Sequence, residues 1–442
     1  MSHFFKNLIS RNNKGKTVKM KNIITLSVLT IASITAIFSA TQSFNINETQ
    51  DGKVILSFQL EEKEMKSESG YTRLAGTNEG RTMEEGKPEL PLYSTFFQME
   101  PMVTYSVSYE VISSRVLENI DLFPVQEVNH DWQTGDPIVK DNIYYNSGKV
   151  YPETNIIMSE PMIMRNLELA QLTFIPYKYH PDTRSLEIFD DVEIIIEESG
   201  FREMTIANQM APSRTFEDLY ETMIVNYQRT EDEALYQQPA VLYICGGGTG
   251  GAINHPAFLQ LADWRHKRGY VVYTASTDET GGSSGSIKNY IEDAYETFDP
   301  PPEFVGLVGD VGGGYNIPTY QESWSGYGGD GDHPYSQLDG GDLLPEVLIG
   351  RISVSNGTDL SNVVNKTLSY EQAYDMTDWY ERSALAGDTS PSGLSIQITN
   401  QYIQNILENF GVDEVNTIFG GGGGFPSWMQ SQLANGILYF NY

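Results

Sequence analysis

The residues best suited to chemistry are acidic. Asp310 follows the short apolar run Phe304–Val308, while Asp339, Asp342 and Glu346 lead into a second run, Val347–Ile352. Both runs have the length and composition of buried parallel strands. Asp342, Leu344 and Glu346 alternate, so in extended chain they share one side, and Asp310 comes off the neighbouring strand. Carboxylates and backbone carbonyls are hard oxygen donors, the set that Ca²⁺ takes. The spacing is not that of an EF-hand, and Asp330–Gly331–Asp332 alone makes no binding loop. The plain alternative is a solvated acidic loop. Against it stands the length of the stretch between the two runs, rich in Gly, Asp and Tyr, because such long connections are usually functional. Acidic groups at the carboxyl ends of strands also sit where open α/β sheets place their chemistry.

Two other features invite a chemical reading. Cys245, the only cysteine, closes the apolar run Val241–Ile244. A thiol nucleophile needs a base within hydrogen-bond reach, and His255, His266 and His333 have no diagnostic spacing to it. Cys245 reads as a small buried residue. Next to it, Gly246–Gly251 (GGGTGG) formally matches G-x-G-x-x-G after a strand. In a dinucleotide site the glycines open the helix, whose N-terminus faces the pyrophosphate. Here the helix starts only at Pro256, and no lone acid ends the following strand, which argues against that site.

The elements that must position these residues alternate. After Val241–Ile244, a helix from Pro256 shows Phe258, Leu261 and Ala262 on one face and closes with Lys267–Arg268–Gly269. Tyr270–Thr274 is a strand, and Ile287, Tyr290, Ile291, Ala294, Tyr295 and Phe298 mark a helix before the Phe304 strand. Beyond Ile352 come a helix through Leu360–Leu368, a strand at Ser383–Gly387 and a helix at Ile396–Phe410. A strand at Val415–Phe419, a flexible turn at Gly420–Gly424, a short helix at Trp428–Leu433 and a strand at Ile437–Tyr442 complete the series. The class is α/β, with a mostly parallel sheet and helices on both faces.

Residues 44–200 differ. Val103, Tyr105, Val107, Tyr109 and Val111 alternate with polar residues, as do Leu186 and Ile188, and Asp190–Asp191 punctuates before Val192, Ile194 and Ile196. Prolines 88, 91, 101, 124 and 152 mark turns, and no helix-period segment intervenes, so this is an all-β domain of sandwich type. His130 and His180 are solitary. Residues 201–238 carry many charges with no clean period and read as an exposed linker, or as a processing segment cut at Arg214 or, preferentially, Arg229. Residues 1–40 have the layout of a secretory signal peptide: Lys6, Arg11, Lys14, Lys16, Lys19 and Lys21, then apolar Ile23–Phe38, then Ser39–Ala40. With 28 basic and 59 acidic residues the net charge is −31, which repels nucleic acid and anionic membrane.

In order, PAVLYI, LADWRHKRGYVV, IKNYIEDAYE, FVGLVGD, LDGGDLLPEVLIGRI, VVNKTLSYE and NGILYFNY resemble the gingipain-type cysteine peptidases, whose fold is related to the caspases. Together these pieces span 239–442, and the region 45–198, with GKPELP at 86–91, resembles that family's β-rich propeptide. TMIVNYQR resembles its processing segment. The resemblance implies a caspase-like domain at 239–442, a thiol endopeptidase zymogen acting on proteins or peptides, and secretion to the medium or cell surface. It implies calcium at Asp310, Asp342 and Glu346, with backbone oxygens near Asp339 and Leu344. It also implies that the catalytic His and Cys fall after Tyr442, and that the propeptide covers the strand ends until it is cleaved. The acid that arginine-directed members carry in the S1 pocket should fall near Ser395–Ile396, where no Asp or Glu stands. A transpeptidase of the type IX secretion route, which would bring that machinery in as a partner, and a catalytically inactive binding member are the competing readings. No membrane span is expected once the signal is removed.

Overall fold

The computed structural model describes residues 43–441 except 51, 75–79, 127–136, 205–206, 325–326, 373–377, 388–392 and 421–424. The expected signal peptide, His130 and most of the expected Gly420–Gly424 turn therefore lie outside the described residues. The chain divides into two compact units, 36–368 and 369–442.

The first unit begins with a β-sandwich. One sheet runs Phe44–Gln50, Lys53–Gln59, Ser185–Phe201 and Tyr177–His180, with Val103–Leu117 along the far edge of the long strand. The other centres on Pro91–Gln98 and Leu167–Phe174. In Pro91–Gln98 buried and half-buried residues alternate strictly, which is the sequence period made visible. Leu56, Phe58, Val192, Ile194 and Ile196 meet Tyr93, Phe97, Leu172 and Phe174 in one core. Phe58 stands edge-on to Tyr93 and Phe174, both with ring centroids 5.1 Å away. The expected break at Asp190–Asp191 is instead a shift of register inside a continuous strand paired with Val103–Leu117.

The linker expected over 201–238 contains a helix, Arg214–Met223. Phe216, Tyr220 and Met223 follow helical spacing and are buried, although Glu217, Asp218 and Glu221 interleave and mask the apolar stripe. The helix packs on Met164, Leu167 and Leu169 of the sandwich, with Leu344 and Leu348 of the α/β region joining the same cluster.

That α/β region has a parallel sheet in the order Val271–Ser276, Ala240–Cys245, Phe304–Val308, Leu348–Ile352. Its helices cover both faces. Ile287, Ile291, Ala294 and Tyr295 of Ser284–Thr297 pack with Leu242, Ile244, Val305 and Leu307. Phe258 and Leu261 of Pro256–Lys267, with Leu360 and Val364 of Gly357–Glu371, pack with Val241, Tyr243 and Cys245. The long connection after Phe304–Val308 supplies part of its own order, through the antiparallel pair Tyr320–Trp324 and Tyr327–Gly331.

The second unit is a parallel three-stranded sheet in the order Glu414–Phe419, Arg382–Gly387, Tyr439–Asn441, with helices Gly393–Asn409 and Phe425–Asn435. The architecture agrees with the sandwich and α/β sheet read from the sequence. No described helix is long and apolar enough to cross a membrane.

If the Arg214–Met223 helix is a structural wedge and not a linker, Phe216→Ala should destabilise the chain by about 3 kcal/mol or more in denaturant unfolding. A change within about 0.5 kcal/mol, the range of surface substitutions, would return the segment to linker status.

Candidate functional site

Parallel pairing fixes where the acidic residues stand. Phe304 pairs with Leu348 and Val308 with Ile352. Asp310 therefore lies past the carboxyl ends of these strands, whereas Asp339, Asp342 and Glu346 precede the amino end. At about 3.3 Å per residue the strand separates the two groups by roughly 15–20 Å. The single site expected from Asp310, Asp339, Asp342, Leu344 and Glu346 is not assembled. In parallel strands a residue that follows one and residues that precede the next stand at opposite ends, so the expected carboxyl-end position holds for Asp310 and not for Asp339, Asp342 and Glu346.

At the carboxyl end, the Asp310 carboxylate accepts the Val311 N–H at 2.8 Å and the Ser353 hydroxyl at 3.0 Å. These bonds, with the Arg351 charge, lower its pKa. Close by, the glycine run turns back on itself: Gly247 and Gly248 have φ of 83° and 62°. A Cβ at Gly246 would lie 2.4 Å from the Tyr315 carbonyl oxygen. Several of the run's amides are already used. Gly248 N–H donates to the Thr277 hydroxyl at 2.9 Å, and Thr249 N–H to the Asp278 carboxylate at 2.7 Å. An internal carboxylate thus takes a place a phosphate would need, which disposes of the dinucleotide reading; its spacing in sequence gave no sign of it. Cys245 is fully buried, and burial pushes its thiol up, away from the thiolate a nucleophile requires. His255 accepts the Ala257 N–H through Nδ1 at 3.3 Å, capping its helix.

At the amino end, the chain wraps Glu346. Its Oε2 accepts the N–H groups of Leu338 at 2.6 Å and Asp339 at 3.1 Å, while Oε1 has no partner. The residue is fully buried. Burial raises its pKa to about 8; the two N–H groups oppose this and the charges of Asp342 and Asp339 add to it. Gly340 and Gly341, at φ 75° and 63°, let the loop close. Asp342 accepts the Leu344 N–H through Oδ1 at 2.7 Å and the Ile163 N–H of the sandwich through Oδ2 at 2.8 Å. An orphaned buried carboxylate oxygen among like charges is a donor set that fits an oxygen-ligated cation. Among the described residues no three Asp, Glu, His or Cys side chains already converge, so backbone oxygens such as that of Leu344 would have to complete the shell.

The sandwich reaches this same end. Arg165, in the turn between Met162–Met164 and Leu167–Phe174, donates to the carbonyls of Pro301, Pro302 and Glu346. These contacts fall before the strands begin, so they cover amino ends. Arg229, the expected cleavage point, is held by the preceding helix, with Asp218 at 2.7 Å, Glu221 at 3.0 Å and Glu217 at 3.3 Å. A peptidase that reads arginine must first draw the side chain out of this clamp.

The comparisons give a family for this arrangement: models of peptidase family C25 and of its propeptide together span most of the chain. Residues 235–442 match that family and residues 39–234 match its propeptide. Gingipain R1 of Porphyromonas gingivalis is 24% identical over 414 residues, covering 90% of this chain and 40% of its own length. Gingipain R2 of the same species is 24% identical over 399 residues, covering 87% and 52%. The chain thus spans about half or less of these relatives. Among solved structures, the complex of Porphyromonas gingivalis RgpB pro- and mature domains is 20% identical with a TM-score of 0.36, covering 42% of this chain and 100% of that one. The Arg-specific cysteine proteinase gingipain R is 21% identical with a TM-score of 0.38, covering 49% and 48%.

Two outcomes follow. Glu346 in the cation-free fold holds its proton to about pH 8, against a usual value near 4.5. The folded chain therefore binds more protons than the unfolded one between these values, and stability falls as pH rises through them. In chelator, melting temperature should drop from pH 5.5 to 8.5, and Glu346→Gln should flatten the drop; equal slopes would contradict the assignment. Removing Asp218 and Glu221 together should speed tryptic cleavage after Arg229 about five-fold, as expected for two exposed ion pairs. An unchanged rate would mean the clamp does not shield the bond.

Proposed function

We propose that the chain is the latent form of a secreted cysteine endopeptidase acting on proteins or peptides. The observation that supports this most is the sandwich seated on the α/β region, with Asp342 accepting the Ile163 N–H and the Glu346 carbonyl accepting from Arg165. In this reading a signal peptide over 1–40 exports the chain, through the type IX route or an equivalent, and cutting at Arg229 severs the covalent link between sandwich and peptidase. The imidazole and thiol come from sequence following Tyr442. The thiolate attacks the scissile carbonyl, backbone N–H groups hold the oxyanion, the C–N bond breaks as the imidazolium protonates the leaving amine, and water then hydrolyses the thioester to free the thiol. Cys245, buried as a core residue, takes no part.

Calcium belongs to the same reading. Asp339, Asp342 and Glu346, with the Leu344 carbonyl, would hold it, and it would supply charge compensation for the buried Glu346. The ion orders a segment and enters no chemical step.

The test is expression of the reading frame continued past Tyr442. Thiol-dependent peptide hydrolysis that survives Cys245→Ala is expected. Absence of turnover, or its loss in Cys245→Ala, would overturn the endopeptidase reading, and ligation without hydrolysis would favour a transpeptidase. For calcium, chelation should lower the melting temperature and Asp342→Ala should abolish the difference. Identical melting with and without chelator would count against the site.

A further inference from the structure

Arg165 is the largest fully buried side chain of the described residues, and it belongs to the sandwich while every hydrogen-bond acceptor of its guanidinium lies outside it. Nη1 donates to the Pro302 carbonyl at 2.9 Å and the Glu346 carbonyl at 3.0 Å. Nη2 donates to Gln237 Oε1 at 2.8 Å and the Pro301 carbonyl at 3.2 Å. The ring centroids of Phe216 and Tyr295 lie 5.5 and 5.7 Å from its Cζ. The Tyr295 hydroxyl donates to the Arg165 carbonyl at 3.2 Å. The backbone adopts φ 54°, left-handed for a residue with a side chain.

This is a built receptor. Among the described residues no carboxylate forms an ion pair with the guanidinium; neutral oxygens and π faces stand in its place. A buried cation left without such acceptors is strongly disfavoured, and acceptors left without a donor carry their own desolvation cost. The planar fork of arginine meets acceptors on two sides, which an ammonium cannot reproduce. All the acceptors, and Tyr295, follow Arg229 in the chain, whereas Arg165 precedes it. A cut at the connector therefore leaves ligand and receptor on different fragments.

We propose that Gln237, Tyr295 and the carbonyls of Pro301, Pro302 and Glu346 form a guanidinium-binding site of the α/β region, whose occupant Arg165 keeps the sandwich bound after the connector is cut. Cleavage and release are then separate events, and release requires Arg165 to withdraw. This rests on the latent-precursor reading only in assuming a cut near Arg229.

The test uses the full chain with a site-specific protease sequence inserted between Asp232 and Glu233, nicked and diluted on a sizing column. Wild-type fragments should co-elute. Arg165→Ala should raise the dissociation constant on the order of 100-fold, with Arg165→Lys recovering only part of the loss. Arg165→Ala fragments that stay together at the wild-type dilution would overturn the proposal. Should that variant fail to fold before nicking, Gln237 decides: Gln237→Glu should tighten binding and Gln237→Leu should weaken it. Equal constants for wild type and both Gln237 variants would overturn it. Because no substrate is used, failure of the peptidase reading leaves this result unaffected.

Discussion

Parallel pairing between Phe304–Val308 and Leu348–Ile352 decides which side chains can meet. Both strands run the same way, so whatever precedes one lies beside whatever precedes the other. Pro301, Pro302, Glu346 and, before the adjoining strand, Gln237 come together at the amino end. Asp310, Cys245 and the glycine run are carried to the opposite end. A sheet of this kind works as two separated surfaces, and the charges of this chain are divided between them.

The amino-end surface is polar and mostly paired, with Glu346 Oε1 and Arg165 Nε among its buried atoms left without a partner. Carbonyls that open the strands have no ladder partner of their own, and the buried Arg165 provides donors for three of them. The connector helix closes the arrangement, since the Tyr220 hydroxyl donates to the Met164 carbonyl beside the Arg165 turn. The helix, the turn and the strand starts depend on one another. The Ser213 hydroxyl bonded to the Glu303 carboxylate adds a further tie between connector and sheet.

Much of this was legible in the sequence. Apolar runs of strand length separated by helix-period segments gave the α/β order, and strict alternation in Val103–Val111 gave the sandwich. The acidic residues were recognisable as a group, yet the structure divides it at Asp310, which follows one parallel strand while Asp339, Asp342 and Glu346 precede the next and so stand at the opposite end. The Arg214–Met223 helix hid behind Glu217, Asp218 and Glu221, although Phe216, Tyr220 and Met223 kept the period. Arg165 gave no signal at all. A lone arginine in a turn is ordinarily exposed, and only the tertiary fold supplies acceptors separated from it in sequence by as much as the distance to Glu346.

Arg165 and its acceptors act as one unit. A double-mutant cycle on the intact chain, with Arg165→Ala and Gln237→Leu singly and together, measures this directly. The expected coupling in unfolding free energy is about 1–3 kcal/mol, because each single change already strands the other partner. Additivity within about 0.5 kcal/mol would contradict it.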